Sequence, residues 1–248
     1  MKAMLFAAGL GTRLKPLTDR IPKALVPIAG RTLLEHTLNK LKKAGVEEVV
    51  VNVHHLGEQI IDFIATHDFG MQIHISDERD ALLDTGGGLR RAACFLQNAK
   101  DTILLHNVDI LSNADLGFFC ESAKDYPVML LVSERSTSRY LLFDEEMNLK
   151  GWTNLETGEV RSPYKNLDVK NLRKLAFSGI HAVSPSIFSN MNSYPEKFPI
   201  MDFYLSECNQ IKIKGFIAEG LQLVDVGKYA TLQSAEDFVL RNGLLVEQ

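Results

Sequence analysis

The chain predicts an α/β fold: three layers, α/β/α, around a Rossmann-like, mostly parallel mixed sheet. Three observations predict it. Short apolar runs alternate with amphipathic segments through the first half of the 248 residues. Val49, Val50, Val51 and Val53 crowd one run with β-branched side chains, as buried parallel strands do. A small-residue turn, Ala7-Ala8-Gly9-Leu10-Gly11, closes the first run at the edge where parallel sheets present ligands.

The elements follow in order. Residues 2–8 read as a strand. Residues 32–44 read as a helix because Leu33, Leu34, Leu38 and Leu41 share one face, and Gly45 ends it. Residues 48–53 form a strand, and 58–65 a helix bearing Ile60, Ile61 and Ile64. A third strand is expected at 71–75. A loop then leads to a turn at Gly86-Gly87-Gly88, a helix at 89–96 and a strand at 102–106, with Asn107-Val108-Asp109 just beyond. Strands follow at 127–133, 175–183, 211–217 and 221–224, with a hairpin over 138–152. Residues 156–172 read as an irregular excursion over the sheet. Helices are expected at 185–191, near 200–208 and at 229–242. With no repeat, low-complexity tract or linker, residues 1–248 read as a single domain.

Hydrophobic residues make up 46% of the chain and charged ones 23%, enough for a sizeable core. The net charge of −4 excludes a general nucleic-acid-binding surface, so any phosphate recognition is local. No apolar run approaches the ~18 residues of a membrane span. Residues 1–11 carry only a minimal basic region, Lys2, for a leader, and cleavage there would remove the first strand, which leads to a cytoplasmic expectation. Cys94, Cys120 and Cys208 are too widely spaced for a disulfide framework or structural zinc, and read as buried thiols.

Chemistry concentrates in a few places. The Gly9/Gly11 turn offers backbone amides, with Arg13 and Lys23 close behind, which suits a polyphosphate. A dinucleotide fingerprint would want glycine or alanine where Leu14 stands. Asp109 follows a strand end, although Asn107, Asp109 and Ser112 also suit a turn. Asp225 lies between apolar residues and wants a partner. Two carboxylates meeting at a phosphate site would hold Mg²⁺. Gly86 and Gly87 read either as a flexible helix start or as backbone packed against a nucleobase. His54 and His55 lack partners at metal spacing and read as structural, and Arg90-Arg91 reads as a solvated helix face.

These motifs together resemble the sugar-1-phosphate nucleotidylyltransferases, or NDP-sugar pyrophosphorylases. The matching residues are Gly9-x-Gly11-Thr12-Arg13, Pro22-Lys23, Leu25-Val26-Pro27, Gly30, Thr85-Gly86-Gly87-Gly88, Asp109, Phe177-Ser178-Gly179-Ile180 and Asp225-Val226-Gly227, in order over nearly the whole chain. The wording around Asp84 to Gly88 is most similar to bacterial N-acetylmuramate-1-phosphate uridylyltransferases, with mannose- and heptose-1-phosphate guanylyltransferases as the alternative. The resemblance implies the nucleotide-diphospho-sugar transferase fold, with residues 1–110 as a nucleotide-binding half and 111–248 as a sugar-phosphate-binding half. It implies transfer of a nucleotidyl group from a nucleoside triphosphate to a sugar-1-phosphate, releasing pyrophosphate, in synthesis of a cell-wall or polysaccharide precursor. It assigns catalysis to Arg13, Lys23 and Asp109, and Mg²⁺ to Asp109 and Asp225. It assigns the nucleotide to Ala8, Gly9, Gly11, Thr12, Arg13, Glu78, Gly86 and Gly87. Lys23, Asn107, Ser178 and Gly179 are assigned to the sugar phosphate. Neither nucleic acid nor membrane is expected as a partner, and the protein is expected as a monomer or homodimer. The Glu-Lys-Pro triplet whose lysine clamps the sugar phosphate in many members is missing. Gly151-Trp152-Thr153-Asn154 stand there instead, with Lys150, Arg139 and Lys165 as candidate substitutes. The rival from another class is a nucleotide-sugar-binding regulatory protein without catalysis.

Overall fold

The computed structural model describes residues 1–243. Its elements begin with β1 (Lys2–Phe6), β2 (Pro27–Ile28), β3 (Arg31–Thr32), α1 (Leu33–Lys43), β4 (Glu48–Val53), α2 (Gly57–Ala65) and β5 (Gln72–Asp77). They continue with α3 (Asp84–Arg91), α4 (Ala93–Leu96), β6 (Ile103–Asn107), β7 (Ile110–Ser112), α5 (Leu116–Ser122), β8 (Val128–Ser133), β9 (Arg139–Phe143) and β10 (Leu149–Asn154). The last are β11 (Val160–Arg161), β12 (Arg173–Val183), α6 (Ile187–Asn190), α7 (Ile200–Glu207), β13 (Ile213–Ile217), β14 (Leu223–Asp225) and α8 (Leu232–Arg241). Among the described residues no helix is long and apolar enough to cross a membrane.

The chain groups into two compact units. The first comprises Met1–Leu82, Leu105–Gly117 and the segment from Gln222 onward; the second comprises Leu83–Leu104 and Phe118–Leu221. The C-terminal segment, which a division at residue 110 would place in the second half, therefore packs with the N-terminal strands.

In the first unit β1, β4 and β5 run parallel, with Phe6 opposite Asn52 and Asn52 opposite Ser76. β1 and β4 are almost wholly buried, which accounts for their unbroken apolar runs. Helix α1 starts in a capping box. Thr32 Oγ1 accepts from the Glu35 amide at 3.1 Å, and Glu35 Oε2 accepts from the Thr32 amide at 2.7 Å. It buries Leu33, Leu34, Leu38 and Leu41, and Gly45 follows it with φ +83°. Helix α8 buries Ala235, Phe238 and Val239 against β2, β7 and β14.

In the second unit β12 pairs antiparallel with β8 and β9, β13 lies parallel to β8, and β10 joins β9 to β11. Residues 139–154 thus form the expected hairpin. The register of β12 against β8 shifts between Phe177 and His181, and Gly179 there has φ +73°.

Three expectations are corrected. Gly86, Gly87 and Gly88 lie inside α3 rather than in a turn before a helix. Glycine weakens a helix, but here close packing compensates. The Gly86 and Gly87 amides donate to the Phe198 carbonyl at 2.9 and 3.2 Å, and the Ile200 amide donates to Thr85 Oγ1 at 2.9 Å. Arg90 is not a solvated side chain. Its guanidinium donates to the carbonyls of Met191, Tyr194 and Pro195 and lies 5.4 Å from the Phe198 ring centroid. Cys94 is exposed rather than buried, while Cys120 and Cys208 are buried as expected.

His106 on β6 is fully buried. Nδ1 donates to the Asn107 carbonyl at 2.8 Å, and Nε2 has no partner among the described residues. Burial, aided by the nearby Lys40 charge, pulls its pKa down to about 4, and burial also lowers that of His36.

Two predictions follow from this packing. A Cβ on Gly87 would stand 2.3 Å from the Glu196 carbonyl oxygen, so Gly87→Ala should destabilise the protein by ~1–3 kcal/mol without any ligand present. Urea unfolding measures it; an unchanged midpoint would show that the glycine is not required for packing. Between about pH 4 and 6.5 the unfolded chain binds the His106 proton that the native state refuses, so stability rises with pH across that window. The contribution is on the order of 3 kcal/mol at its largest, and an unfolding free energy flat across this range would contradict it.

Candidate active site

The loop after β1 is held at its start and by its carbonyls. The Ala7 and Ala8 amides donate to Asn52 Oδ1 at 2.7 and 3.3 Å. Asn52 Nδ2 donates to Glu78 Oε1 at 2.7 Å. The Gly11 carbonyl accepts from Thr18 Oγ1 at 2.8 Å and from the Leu14 amide at 2.9 Å. His55 Nε2 in turn donates to the Thr18 carbonyl at 3.0 Å. Gly11 must be glycine: its φ is +64°, and a Cβ there would meet Thr18 Cγ2 at 2.8 Å. The amides of Gly9 and Gly11 have no partner among the described residues, and Gly9, Thr12 and Arg13 are exposed. The result is a fixed turn with free donors and a guanidinium, the arrangement that receives anions.

Asp109 stands where β6 has ended and β7 has not begun. The Val108 amide bonds the Phe6 carbonyl at 3.1 Å, Thr37 Oγ1 bonds the Val108 carbonyl at 3.3 Å, and Lys40 Nζ bonds the Ser112 carbonyl at 2.8 Å. These latch the segment to β1 and α1. The half-buried Lys40 is pulled down to about 8 because desolvation outweighs attraction to Asp115. Lys23 is buried, and its ammonium makes a close ion pair with Asp109 Oδ2.

Asp225 reaches the same place from the other end of the chain. β14 pairs antiparallel with β7, setting Asp225 opposite Ile110, and the Val226 amide donates to the Asp109 carbonyl at 2.9 Å. Arg13 closes on this ribbon. A Cβ on Gly227 would lie 2.7 Å from Asp225 Oδ1 and 2.8 Å from Arg13 Nη2, so both charged groups pass over the bare glycine. Arg13, Lys23, Asp109 and Asp225 thus converge within the first unit. The two carboxylates offer the hard oxygen donors that Mg²⁺ takes, and the two cations offer the positive charge that phosphates take.

Other expected residues stand elsewhere. Glu78, expected to accept from a base, is fully buried and bonded to Asn52, so it presents no surface to a ligand. Ala8 is buried, and its amide is taken by Asn52. Asn107, half-buried, ends β6 two residues before Asp109. In the second unit, the Cβ positions of Gly86 and Gly87 are filled by the Phe198 ring and the Glu196 carbonyl. Ser178 and Gly179 sit at the β12 register shift, and the buried Ser178 Oγ has no partner among the described residues. Lys150, a candidate for the missing clamp, pairs with Asp144 at 3.1 Å and lies over the Tyr164 ring. Asn52, which binds the first loop amides, is not among the expected site residues; its signal in the sequence is a lone amide among the valines of β4.

Comparison with known proteins gives the family. The family model described as nucleotidyl transferase matches residues 2–140. An N-acetylmuramate alpha-1-phosphate uridylyltransferase of Neisseria meningitidis is 32% identical over 240 residues, covering 95% of this chain and 97% of that one. A D-glycero-alpha-D-manno-heptose 1-phosphate guanylyltransferase of Campylobacter jejuni is 26% identical over 227 residues, covering 92% and 95%. A UDP-glucose pyrophosphorylase solved with UDP-glucose shares the fold, with a TM-score of 0.78 at 16% identity over 97% of this chain and 98% of that one. The match to the family model, the full-length likeness and the convergence of the motif residues establish that this chain belongs to the nucleotidyl transferase family, among its sugar-1-phosphate nucleotidylyltransferases.

Proposed function

We propose that the chain transfers a uridylyl group from UTP to an N-acetylmuramate-1-phosphate-like sugar, releasing pyrophosphate. The observation that carries the reading is the meeting of Arg13, Lys23, Asp109 and Asp225 beside unpartnered loop amides. The Neisseria relative, alike over nearly its whole length, supports the choice of base and sugar. UTP consumption and the absence of a membrane helix among the described residues fit a cytoplasmic setting.

The chemistry needs no base, because the sugar-phosphate oxygen is already anionic. It attacks the α-phosphorus, and the bond from that phosphorus to the pyrophosphate oxygen breaks. The protein's task is to bring two polyanions together and to stabilise charge on the transferring group. The amides of Gly9 and Gly11 cradle the triphosphate, with Thr12 beside them. Arg13 neutralises the leaving β- and γ-phosphates. Lys23, held by Asp109, faces the α-phosphate. Asp109 and Asp225 would hold Mg²⁺, which when bound lowers the repulsion between the substrates and polarises the phosphoryl oxygens. Gly227 keeps the space between Asp225 and Arg13 open.

The direct test is pyrophosphate release over a matrix of UTP, GTP, CTP and ATP with several sugar-1-phosphates, with and without Mg²⁺. UTP with N-acetylmuramate-1-phosphate should be fastest, and activity should require the cation. A preference for GTP would instead favour the guanylyl reading that the Campylobacter relative suggests. No release with any pair would refute catalysis. Asp109→Asn and Asp225→Asn should each lower turnover by ~10²-fold or more; Asp225→Asn should leave the melting temperature unchanged, whereas Asp109→Asn, which unpairs the buried Lys23, should also lower it. Full turnover in either would remove that carboxylate from the site. Arg13→Ala should weaken inhibition by pyrophosphate more than it raises KM for the sugar phosphate; equal effects would place Arg13 on the wrong substrate.

A further inference from the structure

Two amides at the very start of the phosphate loop are occupied by the protein itself. Ala7 and Ala8 both donate to Asn52 Oδ1, and that oxygen can face them only if the amide nitrogen of Asn52 points the other way. There it meets Glu78 Oε1 at 2.7 Å. A flipped Asn52 would set its NH₂ against two N–H donors and its oxygen against a carboxylate oxygen, losing every one of these bonds. Both side chains are buried, so water cannot substitute.

Glu78 is itself immobilised. Its amide donates to the Val53 carbonyl at 2.8 Å, and its carbonyl accepts from His54 Nδ1 at 2.7 Å and from the Ala81 amide at 3.1 Å. Asn52 is fixed by its register between Phe6 on β1 and Ser76 on β5. The pair is therefore a rigid relay from β5, through β4, to the first residues of the loop.

We propose that Asn52 and Glu78 are positioning residues for the triphosphate loop. Glu78 sets which end of the Asn52 amide faces β1, and Asn52 withholds the Ala7 and Ala8 amides while aiming the next ones, from Gly9 onward, at the ligand. Neither touches substrate; each acts through the loop. The kinetic half of this inference rests on the proposed nucleotidyl transfer, whereas the structural half does not.

Amide hydrogen exchange and steady-state kinetics on Asn52→Ala, Glu78→Leu and the double variant separate the two halves. Exchange at Ala7 and Ala8 should quicken by at least ~10-fold in both single variants, because the amides lose their acceptor or its orientation. KM for UTP, or for GTP should that be the substrate used, should rise ~5- to 30-fold, while KM for the sugar phosphate and kcat stay within ~3-fold. In KM for the nucleotide the double variant should be no worse than Asn52→Ala alone, since Glu78 reaches the loop through Asn52. Glu78→Gln, which keeps an acceptor oxygen, should retain most of the parent's KM, and it supplies the comparison if Glu78→Leu does not fold.

Unchanged exchange at Ala7 and Ala8 would overturn the relay. Faster exchange with an unchanged KM for the nucleotide would overturn its role in binding. Additive losses in the double variant would overturn the coupling. A parent protein that exchanges as expected but releases no pyrophosphate would instead refute the proposed reaction and leave the relay standing.

Discussion

One short piece of backbone pairing supports everything else at the site. β14 comes from near the C-terminus and lies antiparallel to β7, and the Val226 amide bonds the carbonyl of Asp109. Main-chain bonds of this kind have fixed geometry and little freedom, so they determine where both carboxylates stand. Without that ribbon, Asp225 would have no reason to be near Asp109. Helix α8 then covers the ribbon with Ala235, Phe238 and Val239, so its burial holds the β7–β14 pairing in place.

Charge is balanced locally rather than across the surface. Lys23 is buried, and burying an ammonium is costly unless it is paired. Asp109 supplies the pair. Arg13, by contrast, is exposed, reaching over Gly227 toward Asp225 from a turn in which the Gly11 carbonyl is anchored and the Gly9 and Gly11 amides have no partner among the described residues. A chain of net charge −4 thus gathers two cations and two carboxylates at one place beside the loop amides of Gly9 and Gly11.

Periodicity in the sequence located the strands and helices because burial imposes it. The valines of β4 and the leucines of α1 could be placed to within a residue or two for that reason. The N-terminal motif was equally legible, since Gly11 is constrained by a local turn and a positive φ. What resisted reading were residues whose meaning depends on partners far along the chain. Gly86 and Gly87 read as a turn or a base platform because nothing nearby announces Phe198 and Glu196 as the groups that fill their Cβ space. Glu78 read as an acceptor for the base because its burial against Asn52 is a property of three adjacent strands, not of its neighbours in sequence. Arg90 read as solvated because its three carbonyl partners, Met191, Tyr194 and Pro195, lie about a hundred residues along the chain.

By itself, then, the sequence determined the α/β class, the ordered motifs and the family, because hydrophobic period and local turn chemistry are written in contiguous residues. Only the tertiary structure decided that Asp225 joins Asp109, that Lys23 is committed to that aspartate, and that Asn52 rather than a ligand takes the first two loop amides. Such pairings are set by which strands adjoin and in what register, and strand adjacency is a property of the folded chain as a whole.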